Sequence, residues 1–98
     1  MRLIRKALDA AWQWNNRPRL MTPAELVRLL QRMQADEATP AEWDYFQALA
    51  FSDVRLEAIR KTVAPLYGPG FAPSNDPTLA TAIVRAKEIA GAEATDVR

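Results

Sequence analysis

The sequence predicts an all-α fold, a compact bundle of four to five short helices in a single domain. Three observations predict it. Thr22-Pro23-Ala24-Glu25 and Thr39-Pro40-Ala41-Glu42 both have the form of a capping box, with Thr as N-cap, Pro at the first helical position and Glu at the third. Apolar residues recur at three- and four-residue spacing along most of the chain. No segment alternates strictly between apolar and polar, and β-branched residues are scattered rather than clustered. A chain of 98 residues holds one small domain. Residues 1–91 are assigned to it and residues 92–98 to a flexible C-terminal tail.

A first helix is expected over Arg2–Asn15, with Ile4, Leu8, Ala11 and Trp12 on one stripe. Asn15-Asn16 and Arg17-Pro18 end it, because a residue before Pro avoids the helical region. The second helix starts at the Thr22 capping box and carries the stripe Leu26, Leu29, Leu30 and Met33 to about Ala35. The third starts at the Thr39 box, seventeen positions after the first, and places Trp43, Phe46, Leu49 and Ala50 at helical spacing. Beyond the cap the two segments share little, so they read as two separately capped helices in a hairpin joined by residues 36–38. Ser52 or Asp53 can cap a fourth helix bearing Val54, Leu56, Ile59 and Val63, which stops before Pro65. Residues 64–76 hold three Pro and two Gly and are expected to be irregular. Asp76 caps the last helix, whose stripe is Leu79, Ala82, Ile83, Ala86 and Ala90, and Gly91 is expected to end it. Leu26, Leu29, Leu30, Trp43, Phe46, Ile59 and Ile83 are the predicted core.

Composition excludes several chemistries. The chain has no Cys and no His. A disulfide, a thiolate nucleophile, a Ser-His-Asp triad and the commonest metal ligands are therefore absent. No enzyme, cofactor or metal is expected. No apolar run approaches the roughly 18 residues of a membrane span. Asp9, Gln13, Asn15 and Asn16 interrupt the apolar stretch that a signal peptide needs after its basic start, so neither a signal peptide nor a membrane role is expected, and the chain is assigned to the cytoplasm.

The net charge is +1 but unevenly spread. Residues 1–35 carry seven bases against two acids, and residues 36–98 carry six bases against ten acids. Such a dipolar chain can meet a charged partner or its own copy, so a homodimer is a further expectation. Three stretches are candidate partner contacts. The basic N-terminal stretch offers Trp14, off the apolar stripe, with Arg17 and Arg19. The acidic stretch offers Asp36, Glu37, Asp44 and Tyr45. The loop 65–73 displays Tyr67 and Phe71, either as a lid on the core or towards a partner. The acidic stretch lacks calcium-loop spacing. A helix-turn-helix built on the third helix would present Glu42 and Asp44 to phosphate and is rejected.

Thr22, Thr39, Tyr67 to Pro69 and Asp76-Pro77 fall in an order that resembles the four-helix immunity proteins that neutralise colicin-type DNases. The resemblance is one of spacing over residues 20–91. That family's Asp-Leu-Ile-Tyr-Tyr-Pro segment is absent, and no binding residues are carried over. The resulting expectation is a small non-enzymatic module acting by protein–protein contact, an inhibitor or adaptor of the immunity, antitoxin or phage anti-defence (anti-CRISPR-like) type. The alternative is a nucleic-acid-binding regulator using the basic N-terminal helix, with affinity that falls steeply with salt.

Overall fold

A computed structural model of the chain describes residues 20–48 and 50–96, with side chains to residue 93. The expected Arg2–Asn15 helix, Trp14, Arg17 and Arg19 lie outside the described residues, as does Leu49. The described part is all-α: α1 (Pro23–Gln34), α2 (Pro40–Ala48), α3 (Val54–Val63) and α4 (Pro77–Asp96). No strand occurs among the described residues. Two short 3-10 turns, Ala64–Leu66 and Pro73–Asn75, stand where an irregular loop was expected. In both, proline sits in the first turn, where its missing N–H costs no hydrogen bond.

The helix starts follow local chemistry. The Thr22 hydroxyl accepts from the Glu25 N–H, and the Glu25 carboxylate accepts from the Thr22 N–H at 2.9 Å. Thr39 and Glu42 repeat the exchange, each at 3.1 Å. Asp53 caps α3 through the Arg55 N–H, and Asp76 caps α4 through the Leu79 N–H.

The core contains Leu26, Leu30, Met33, Trp43, Phe46, Phe51, Leu56, Ile59, Val63, Leu79, Ala82, Ile83 and Ala86. Helix α4 is its spine, packing along α1 and α3. Of the predicted core, Leu29 is only half-buried at the edge. Val54 is 82% exposed, because the Asp53 cap makes it the first helical residue and turns it outward. The expected α1–α2 hairpin is corrected too. Helix α1 packs on α4, whereas α2 packs on the 3-10 turn Ala64–Leu66, so the two capped helices are splayed.

Gly91 does not end α4, which continues to Asp96. Half-buried Ile89 packs against the core before the glycine. After it, Glu93 accepts from Arg55 of α3 at 2.6 Å. A Cβ at Gly91 would meet nothing within 4 Å. Gly91→Ala is therefore expected to stabilise the domain by about 0.5–1 kcal/mol, by removing a helix-interior glycine. Thermal unfolding followed by circular dichroism should show a rise of roughly 4–8 °C per kcal/mol. A lowered midpoint would mean that the helix breaks at Gly91 in solution.

Candidate functional site

The acidic stretch separates into structural and exposed groups. Glu42 caps α2 and also takes a two-pronged pair from Arg32 of α1, with Nη2 at 2.8 Å from Oε1. Arg32 further donates to the Glu37 carbonyl oxygen. The Arg32 guanidinium and the Thr39 N–H hold the Glu42 carboxyl down to about 2. Asp53 is lowered by the side chain of Arg55. Glu25 is lowered chiefly by the Thr22 N–H. These carboxylates hold the fold together.

Asp36, expected at a partner surface, has a backbone task. Its φ is +59°, the left-handed region. The Asp36 N–H donates to the Met33 carbonyl oxygen and the Glu37 N–H to that of Arg32, at 3.1 and 2.8 Å, completing a Schellman end to α1. Asp tolerates this conformation better than most residues, and a β-branched side chain does not. Asp36→Val is therefore expected to lose about 1–2 kcal/mol in urea unfolding, while Asp36→Gly loses nothing. Equal losses for both would assign the role to the carboxylate instead.

Asp44 and Tyr45 are exposed on α2, Tyr45 at 54%. Tyr45 borders a groove of about 660 Å³ between the splayed helices, lined also by Met21, Arg28, Leu29 and Ala41. Trp43, next to Asp44 in the sequence, is buried at 4% exposure and belongs to the core as expected.

The loop brings Tyr67 and Phe71 together on Trp43. Tyr67 stacks on the indole with centroids 4.8 Å apart and planes 13° from parallel. Phe71 meets it edge-on at 5.5 Å. Between them Gly68-Pro69-Gly70-Phe71 closes a tight turn, with the Phe71 N–H donating to the Gly68 carbonyl oxygen at 3.1 Å. Pro at its second position and Gly70 at φ +82° at its third are the marks of a type II turn. The loop thus covers Trp43 while Tyr67 stays 40% exposed.

Comparison with protein-family models, curated proteins and solved structures finds no match to this chain. The spacing resemblance to immunity proteins has no family match behind it.

A pair that the sequence reading missed lies between α2 and α3. Arg60 donates to Glu57 at 2.6 and 2.7 Å. It also donates to the carbonyl oxygens of Phe46 and Gln47. Glu57 in turn accepts from the Phe51 N–H at 3.0 Å. The signal was present as Glu and Arg three residues apart on one helix. Among the described residues, no group of three or more His, Cys, Asp or Glu could hold a metal ion. No helix among them is long and apolar enough to cross a membrane.

Proposed function

We propose that the protein is a small non-enzymatic binding module, an inhibitor or adaptor that acts by contact with another protein. The observation that carries this reading is Tyr67. Its ring is held by stacking on buried Trp43 beside a proline-stiffened turn, yet the residue is 40% exposed. An aromatic held rigidly at the surface loses little conformational freedom on binding, and aromatic anchors dominate protein interfaces. Asp44, exposed on α2, offers a further polar contact. Glu25, Glu42, Asp53 and Glu57 are engaged in caps and ion pairs, which also favours a contact surface over carboxylate chemistry.

The test is capture from native host lysate by the tagged full chain, with and without nuclease. One protein retained under both conditions, and weakened at least tenfold by Tyr67→Ala at unchanged melting temperature, is the expected result. Capture that disappears with nuclease would replace this reading with nucleic-acid binding through the basic N-terminal stretch. A Tyr67→Ala variant that captures like the wild type would move the contact elsewhere.

A further inference from the structure

The splayed arrangement of α1 and α2 leaves a groove that the described residues do not fill. Its floor is apolar, with half-buried Met21 and Leu29 from the α1 side and Ala41 and Tyr45 from α2. A second hollow, lined by Leu20, Val54 and the Arg55 end of α3, meets it at Met21 and Glu25. Leu20 and Val54 there are 92% and 82% exposed. Large apolar side chains gathered at one edge of a small domain mark a surface that something covers.

We propose that the groove seats the chain's own N-terminal segment, with residues 2–15 as an amphipathic helix whose stripe Ile4, Leu8, Ala11 and Trp12 faces Met21, Leu29 and Tyr45. Two observations select this occupant. The segment runs directly into Leu20, which lines the second hollow, and Met21, where the two hollows meet. Its length fits: a helix over residues 2–15 spans about 21 Å. Residues 16–19 can cover roughly 13 Å when extended, enough to turn the helix back over the groove. Seating the helix would leave Arg2, Arg5, Lys6 and Trp14 off the buried face. This inference is independent of the Tyr67 reading, because the groove-lining residues do not include Trp43, Tyr67 or Phe71.

The absence of cysteine allows a direct test. Full-length chains carrying Leu8→Cys with Leu29→Cys, or Leu8→Cys with Tyr45→Cys, are oxidised mildly at low protein concentration. The control pairs Leu8→Cys with Val84→Cys, since Val84 is exposed on α4 away from the groove. The expected result is an intrachain disulfide for at least one groove pair, formed at least tenfold faster than in the control and read by non-reducing electrophoresis and intact mass. Disulfide-linked dimers would overturn the proposal in favour of a second copy in the groove. Equal rates for groove and control pairs would overturn it by showing no seat. Neither outcome bears on Tyr67→Ala capture, so the two readings fail separately.

Discussion

Trp43→Ala is expected to destabilise the domain by about 3–5 kcal/mol, the usual cost of deleting a large buried aromatic. Domains of this size have about 5–15 kcal/mol to lose, so the variant should sit near the limit of folding at 37 °C. The cause is the number of partners on one ring. Phe46 meets Trp43 edge-on at 6.1 Å, Tyr67 stacks on it and Phe71 closes its other side. Its removal opens a cavity and also unseats the turn 68–71. Two readouts should therefore move together: the urea midpoint and the rate of limited proteolysis in the loop. Trp43→Phe should lose clearly less. A cost below about 1 kcal/mol, or a loop that keeps its protease resistance in Trp43→Ala, would show that the loop does not depend on this ring.

Arg60→Met is expected to cost about 3 kcal/mol while preserving the length of the side chain. The Arg60 and Glu57 side chains are only 13% and 15% exposed. Removing one partner leaves a largely buried carboxylate unpaired and the carbonyl oxygens at the end of α2 without their donor, which is costlier than removing both partners. The Glu57→Gln, Arg60→Met double variant should therefore recover part of the loss. Acidity gives a second readout. Arg60, and secondarily the Phe51 N–H, hold Glu57 down to about 2, against roughly 4.3 in an unfolded chain. A carboxyl lowered by folding adds stability above its unfolded value and loses it as pH falls towards its folded value. Wild-type stability should decline between about pH 4.5 and pH 2, and the double variant should decline less. Superimposable acid profiles for the two proteins would refute the role of this pair.

The parts legible in the sequence were those set by neighbours along the chain. Both Thr-Pro-Ala-Glu boxes form as expected, because a capping box needs only four consecutive residues. Asp53 and Asp76 cap for the same reason. Most of the apolar stripes are buried. The misses arise where distant elements decide. Leu29 shares the α1 stripe but is left at its edge, because α2 turns away from α1. Phe51 follows a helix end and belongs to no stripe, yet it packs against Phe46 at 5.9 Å. Gly91 has the chemistry of a helix end, but Arg55, far away in sequence, holds the residues beyond it through Glu93. In the sequence Asp36 reads as one more exposed acid, which it is, and nothing along the chain marks the positive φ that gives it a backbone role as well. The site was less legible than the fold, since whether Tyr67 covers the core or faces outward depends on where Trp43 lies.

One carboxylate serves two elements: Glu42 closes the cap of α2 and clamps Arg32 of α1, which in turn holds the Glu37 carbonyl. Fraying at the end of α1 releases the start of α2, and unwinding at Thr39 frees Arg32. Residues 32–42 are consequently expected to open as one unit, with a shared opening free energy in place of two independently fraying ends. Slow amide exchange across this segment would rise and fall together, although it contains a helix end, a turn and a helix start.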